Sequence, residues 1–336
     1  MNNSRLIITR TPFRISFFGG GTDYNAWFEE HGGIVLAIGL AQYCYISVRF
    51  LPPYFEHRTR VVYSKIESVR DNIEIQHPSV NGCLQHMNIS EGVEIHHDGD
   101  LPARSGLGSS SSFTVGLLHA LHALQQRMIG PNQLALEAID LEQNRLKESV
   151  GIQDQIIAAH GDFQIIKMGP GNNWHTNKMI LPDEYISVLE DHVLIGFSGI
   201  SRLAEEHAKK TVENIKQGKT NEELLSMTAL ANEGIQAMLR QDGFDAIGRL
   251  LDQNWKLKRR LADSVSAKWM DDLYQVAIQK GAFGGKLMGA GAGGFFFFLA
   301  PPSKHQQIRE ALSQIKLWVP CKIDHSGSKV IFYNSG

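Results

Sequence analysis

Charge of one sign is missing from this chain. Lys and Arg number 33 against 35 Asp and Glu, a net charge of −2. Nothing in the overall field therefore attracts nucleic acid or an anionic membrane surface. Cysteine is scarce as well. Cys44, Cys83 and Cys321 stand far apart and form no C-x-x-C pair. An odd, sparse count excludes a disulfide framework and fits a reducing compartment. Long hydrophobic runs are absent too. The longest, Leu287 to Ala300, is interrupted by glycines and ends at Pro301-Pro302. It falls short of the roughly 20 apolar residues a membrane helix needs. No secretory h-region follows Met1-Asn2-Asn3-Ser4-Arg5. These absences predict a cytoplasmic protein with neither nucleic acid nor membrane as partner. A second copy of the chain is the macromolecular partner left open.

What is present is ordinary globular composition, 43% hydrophobic and 20% charged over 336 residues, enough for two domains. The chain is organised around Leu101-Pro-Ala-Arg-Ser-Gly-Leu-Gly-Ser-Ser-Ser-Ser-Phe113. This glycine-serine loop feeds a helix whose apolar stripe is Phe113, Leu117, Leu121 and Leu124. The first amides of a helix lack carbonyl partners and attract anions. Gly106 and Gly108 let backbone approach a phosphate closely. Ser109 to Ser112 can cap the helix, donate to phosphate oxygens or ligate Mg²⁺. The loop lacks the lysine of a Walker A motif, the third glycine of a dinucleotide fold and the partner motifs of protein kinases.

Along the chain, Leu6 to Thr9 and Ile15 to Phe18 read as strand, broken by Gly19-Gly20-Gly21. Asp23 follows, either as the N-cap of a helix over Tyr24 to Glu30 or as an acceptor for polyol hydroxyls. Strands are expected over 33–50, 60–65, 72–76 and 92–97, with a helix over 81–87. His96 and His97 lack a third ligand at metal spacing and read as solvated strand-end residues. Pro131 opens a helix that carries Glu142 near its end. Asp154 falls in the first turn of a short helix ending at Gly161, a position the helix dipole alone favours. Strands over 163–168 and 187–197 precede helices over 201–217, 221–240, 243–262 and 266–280. The basic run 256–260 reads as a solvated helix face. In Gly284 to Leu299, strands at 286–288 and 295–299 flank a Gly-Ala loop, 289–294, whose composition suggests backbone close to a ligand. A helix over 303–316 and a strand over 329–333 close the chain.

Pro12-Phe-Arg…Gly-Gly-Gly-Thr-Asp23, Leu101-Pro…Gly-Leu-Gly-Ser-Ser-Ser-Ser112 and Lys286-Leu-Met-Gly-Ala-Gly-Ala-Gly-Gly294 stand in order through nearly the whole chain. Together they resemble the three-motif signature of the GHMP kinases. The Arg10-Thr-Pro-Phe-Arg14 form and Gly151-Ile-Gln-Asp-Gln155 look most like the branch acting on D-glycero-D-manno-heptose 7-phosphate. The resemblance implies an α+β, two-domain fold. A ribosomal protein S5 domain 2-like α/β domain, 1–182, would carry a left-handed crossover, followed by a ferredoxin-like domain, 183–336. ATP would bind through Pro102, Ser105, Gly106, Leu107, Gly108, Ser109, Ser110 and Ser111. Ser110 and Glu142 would hold Mg²⁺, with Asp154 and Arg14 at the acceptor hydroxyl.

A small sugar phosphate would be bound by Asp23, Gly20, Gly21, Gly289 and Gly291. Arg202, at the start of a helix, would take its phosphate. Gly20-Gly21 replaces the Glu-His of galactokinases and implies a roomier floor. The implied reaction is phosphorylation of the anomeric hydroxyl, giving the 1,7-bisphosphate of a nucleotide-heptose pathway. Two alternatives are a kinase of another sugar such as L-fucose, and a sugar-binding regulator that has kept the fold without turnover.

Overall fold

The computed structural model describes residues 5–103, 105–171, 173–200, 204–291 and 293–334. Its first sheet grows from two long neighbours, β1 (Leu6–Phe18) and β2 (Gly33–Phe50), paired antiparallel from Leu6↔Arg49 to Phe18↔Leu36. The two short pieces expected before Gly19 are one strand. Pro12 leaves only a register shift between Pro12 and Phe13. Proline cannot donate to the ladder, and a bulge absorbs it.

The other side of β2 serves two partners. Its C-terminal half pairs with β5 (Val93–Gly99) and its N-terminal half with β6 (Phe163–Gly169). β3 (Thr59–Val62) and β4 (Ile66–Val69) extend the β5 side, and β7 (Asn173–Lys178) extends the β6 side. β3 and β5 run parallel, joined through α2 (Pro78–His86). The expected strand over 72–76 is instead a 3-10 turn, Asn72–Glu74. There the Asp71 carboxylate accepts from Ile73 N at 3.1 Å, a side-chain bond that competes with strand pairing. β12 (Lys329–Asn334) pairs with β1, so the first sheet is completed by a segment from beyond residue 182.

α3 (Ser109–Leu124) lies on this sheet with its expected stripe buried. Gly116 allows the contact, since a Cβ there would meet Thr11 Oγ1 at 2.8 Å. α4 (Pro131–Asp140) and α5 (Gln153–His160) pack beside it, and α1 (Asn25–His31), in the connection between β1 and β2, packs on β6.

The second sheet has the order β11-β8-β10-β9, all antiparallel, which is the ferredoxin-like order 4-1-3-2. Its members are β8 (Val193–Phe197), β9 (Gly284–Leu287), β10 (Phe295–Leu299) and β11 (Leu317–Val319). The helices α7 (Ala204–Lys216), α8 (Asn221–Leu239), α9 (Phe244–Lys258) and α10 (Lys268–Gln279) fill the first crossover, and α11 (Pro302–Ala311) the second. The strand expected over 187–197 begins only at Val193. Residues 187–192 belong to α6 (Asp183–His192), whose acidic first turn, Asp183 and Glu184, suits a helix N-terminus.

β10 joins the two cores through the two-residue period of a strand. Phe296 and Phe298 pack with Trp255 and Tyr274, while Phe295 and Phe297 face the first sheet. Phe297 meets Phe17 edge-on at 4.9 Å between ring centroids. Among the described residues no helix is long and apolar enough to cross a membrane.

Candidate active site

The site lies where β1, the start of α3, α5 and the 289–294 loop converge. Arg14 is buried on β1 and holds its backbone amide on Leu107 O at 3.0 Å. Its guanidinium grips Asp154 with both arms, Nε to Oδ1 at 2.6 Å and Nη2 to Oδ2 at 3.1 Å. Nη1 donates to Gly106 O at 2.6 Å. One planar fork therefore orients the carboxylate and the glycine loop together. The Asp154 side chain keeps 23% of its surface exposed, so it can still receive a ligand.

Gly108 is the N-cap of α3, with φ +73° and no side-chain cap bond. A Cβ there would meet Arg14 Cγ at 3.1 Å and Asp154 Oδ2 at 3.2 Å. The left-handed turn thus presents the uncapped helix start to Arg14 and Asp154, an arrangement that fits a bound phosphate chain. Leu107 is fully buried, so its side chain fills the core and only its carbonyl serves the loop. Pro102 is exposed, and Ser105 is buried with its hydroxyl unpartnered. The Ser112 hydroxyl ties α3 to Pro12 O at 2.8 Å.

Glu142 falls in the π-helical turn Leu141–Arg145. Its side chain meets Ser111, not Ser110: Ser111 Oγ donates to Oε2 at 2.8 Å, joined there by Gln155 Nε2. Ser110 is exposed, and its carbonyl accepts from Thr114 Oγ1 at 3.2 Å. One residue is about 100° of helix rotation, enough to exchange the two serines. Glu142 Oε1 is buried without a partner. Burial, and then the charge of Glu148, push its carboxyl up to about 7. A buried carboxylate with an orphan oxygen beside a hydroxyl suits a hard divalent cation such as Mg²⁺.

Asp23 is buried and is not the cap of α1, whose N-cap is Tyr24. Its oxygens accept from Gly21 N at 2.9 Å and from Gln153 Nε2 at 2.9 Å. Burial, with a smaller contribution from Asp154, raises its pKa above the ordinary carboxylate value. The glycines around it are explained by chain rather than by open space. A Cβ on Gly151 would strike Asp23 Oδ2 at 1.9 Å. One on Gly21 would meet Leu261 at 3.1 Å and Leu224 at 3.6 Å, and one on Gly20 would meet Ser16 and Gln153. The roomier floor expected at Gly20-Gly21 is therefore occupied by Ser16 of β1, Gln153 of α5, Leu224 of α8 and Leu261, which follows α9.

The glycines of the 289–294 loop likewise lie against neighbouring chain. Gly289 lies against Gly106, where a Cβ would be 2.7 Å from its Cα, and Gly291 lies against the Val265 backbone at 2.6 Å. Gly294 packs on Ser105 O, and Phe295 N donates to that oxygen at 3.0 Å. These glycines bring two chain segments together and seal the central loop against the second sheet. Arg202 lies outside the described residues.

Three cationic or phenolic neighbours were not singled out by sequence. Lys258, assigned to a solvated face, is buried and donates to Gly289 O at 2.7 Å. Lys286 is fully buried and donates to Phe17 O at 3.2 Å. Burial presses both ammonium groups below their ordinary value, Lys258 to about 8. Burial, and then the charges of Asp23 and Asp154, raise the value of the Tyr24 hydroxyl. The helical stripe Ile247, Leu251, Trp255 and Lys258 was the available signal for Lys258, since steps of four and then three residues keep it on the inner face.

Among the described residues no group of three or more His, Cys, Asp or Glu could hold a metal ion, so His96 and His97 build none. His96 meets Glu94 at 3.2 Å, and His97 stands edge-on to Phe113.

The chain matches the model of the GHMP kinases N terminal domain over residues 78–162 and that of the GHMP kinases C terminal over 235–316. It is 29% identical over 322 residues to the D-glycero-alpha-D-manno-heptose 7-phosphate kinase of Campylobacter jejuni, covering 92% of this chain and 93% of that one. To the bifunctional fucokinase/GDP-fucose pyrophosphorylase of Arabidopsis thaliana it is 25% identical, over 90% of this chain and 31% of that one. Among solved structures, a D-glycero-D-manno-heptose 1-phosphate kinase from Bacteriodes thetaiotaomicron superposes with a TM-score of 0.74. At 21% identity, and with 96% of this chain and 97% of that one covered, it shows a common fold.

Proposed function

The chain belongs to the GHMP kinases as an ATP-dependent carbohydrate kinase, and we propose that its acceptor is D-glycero-D-manno-heptose 7-phosphate, phosphorylated on the anomeric hydroxyl. The observation that carries the chemistry is the Arg14–Asp154 pair set against Gly106 and Gly108. The full-length likeness to the Campylobacter jejuni heptose 7-phosphate kinase supports the acceptor.

In this reading the acceptor hydroxyl oxygen bonds to the terminal phosphorus of ATP. The bond from that phosphorus to the bridging oxygen breaks, and its electron pair leaves with ADP. Asp154 orients the hydroxyl and takes its proton. In a loose phosphoryl-transfer transition state the proton moves late, so orientation matters more than early deprotonation. Arg14 keeps Asp154 in place and adds positive charge beside the phosphoryl oxygens. The start of α3 binds the phosphate chain through its amides. Glu142 with a loop serine, Ser111 by contact or Ser110 by family pattern, would hold Mg²⁺, which supplies positive charge to the phosphates. Asp23, fixed by Gly21 and Gln153, presents its remaining acceptor capacity to sugar hydroxyls.

A panel of sugars tests the acceptor by ADP release. Heptose 7-phosphate is expected to exceed the unphosphorylated heptose, mannose, fucose and galactose in kcat/KM by about 10²-fold. That is the worth of two charge-assisted hydrogen bonds at ~1.5 kcal/mol each. Turnover of fucose without response to heptose 7-phosphate would replace the acceptor by fucose and leave the kinase standing. Binding of sugar with no ADP release from any of them would favour the regulator reading.

Gly151→Ala tests Asp23. The added methyl must push Asp23 off its present position. We expect KM for the acceptor to rise by about 10-fold, ~1.4 kcal/mol, with MgATP affinity unchanged. An unchanged acceptor KM would remove Asp23 from the sugar site.

A further inference from the structure

Lys258 is a buried cation to which the reaction above gives no part. It ends α9 on the helix's inner stripe, whereas Lys256 beside it is exposed and pairs with Asp252. An ammonium carries three donors. Among the described residues one acceptor, Gly289 O at 2.7 Å, meets it. Gly289 in turn presses on Gly106, and Gly106 O takes the third arm of Arg14. Lys258 is thus two loop residues, Gly289 and Gly106, away from the Arg14–Asp154 pair, reached from the second half of the chain. Burying an ammonium with donors to spare costs stability unless an anion uses it.

The charged groups that act on Lys258 come from three elements and a turn: Arg14 on β1, Asp23 in the turn after it, Asp154 on α5 and Lys286 on β9. Lys286 is pressed well below its ordinary value by burial and then by Lys258 and Arg14. Three basic side chains thus converge beside two acids, and a terminal phosphoryl group arriving there meets donors of positive character.

We propose that Lys258 is a further substrate-binding residue of the phosphoryl-transfer site, its ammonium contacting the terminal phosphoryl oxygens of ATP beside the Gly289 turn. The inference rests on the kinase reading above. It has a consequence in protons. The free ammonium titrates near 8, and an anion against it favours the charged form. MgATP binding around that pH therefore takes up a proton. On the alkaline side kcat/KM for MgATP falls above about 8, while the matching limb in kcat moves to higher pH because the bound anion holds the proton; the acid side belongs to Glu142, which must ionise near 7 to hold Mg²⁺.

The experiment compares wild type with Lys258→Met and Lys258→Arg. In the neutral range, Lys258→Met is expected to lower kcat/KM for MgATP by about 10²-fold, the usual effect of removing one donor to developing charge. It should also erase the alkaline limb. Lys258→Arg, which keeps a cation that does not titrate in this range, should recover at least part of the rate with the limb still absent. A lysine that only clamps the Gly289 turn would leave the limb in place in Lys258→Met and overturn the proposal.

Calorimetry of MgATP binding to wild type, in buffers of different ionisation enthalpy, needs neither a stable variant nor a sugar. Proton uptake near pH 8 is the expected result; no uptake overturns the inference. If wild type phosphorylates no sugar of the panel yet takes up the proton, the acceptor reading falls and Lys258 stays at the nucleotide.

Discussion

Asp154→Asn is expected to lower kcat by about 10²–10⁴-fold, the range for removal of a general base. The substitution is nearly isosteric, and one oxygen can still accept from Arg14. It removes the charge and the proton acceptor while the helix start of α5 and the Gly106–Gly108 turn stay in place. MgATP affinity should change little, because Asp154 acts on the acceptor hydroxyl rather than on the nucleotide. Arg14 has only 6% of its side chain exposed and would face a neutral amide. A drop in Tm should accompany the variant, so rates must be compared well below it. Isothermal nucleotide titration with single-turnover ADP formation separates the effects. A kcat within a few-fold of wild type would leave Asp154 as no more than the first-turn acid that the helix dipole favours.

Loss of MgATP binding is the expected result for Gly108→Val, and with it loss of measurable turnover. At φ +73° an L-residue is strained by roughly 1–2 kcal/mol, and a β-branched one is worse placed still. The new side chain would also press on Arg14 Cγ and Asp154 Oδ2, so the damage reaches the acceptor side. We expect affinity for MgATP to fall by more than about 10²-fold, ~2.7 kcal/mol. The fold should survive with a Tm lower by a few degrees, at ~2–4 °C per kcal/mol for a chain of this size. A Gly108→Val protein that binds MgATP normally would place the nucleotide elsewhere.

Much of the site could be read in advance because its parts are local. A left-handed glycine before an amphipathic stripe is set by φ and by i, i+4 spacing, and both lie within a few residues of sequence. The helix after the glycine-serine loop, the fully buried strand Phe295–Leu299 and the first-turn position of Asp154 followed from such signals, though the helix begins at Ser109, inside the serine run. The segments misread were those decided by partners. Residues 187–192 carry a mixed pattern in which Leu189 is the one buried residue of the helix. β7 and β11 are short edge strands, formed because β6 and β8 offer them unpaired backbone.

The sequence by itself determined the order of three glycine-rich segments, the apolar periodicities between them and the acids and bases that accompany them. Residue type and spacing are enough for that, since they act through local dihedral angles and one-sided burial. Only the tertiary structure decided that Arg14 clasps Asp154 across 140 residues, that Ser111 rather than Ser110 meets Glu142, and that Lys258 turns inward to Gly289. It also decided that the glycines at 21, 151, 289 and 291 make room for Leu261, Asp23, Gly106 and Val265. Each of these pairs joins segments distant in the chain. Its energy depends on which side chain a neighbouring element brings to within a few ångströms, and periodicity within one segment carries no information about that.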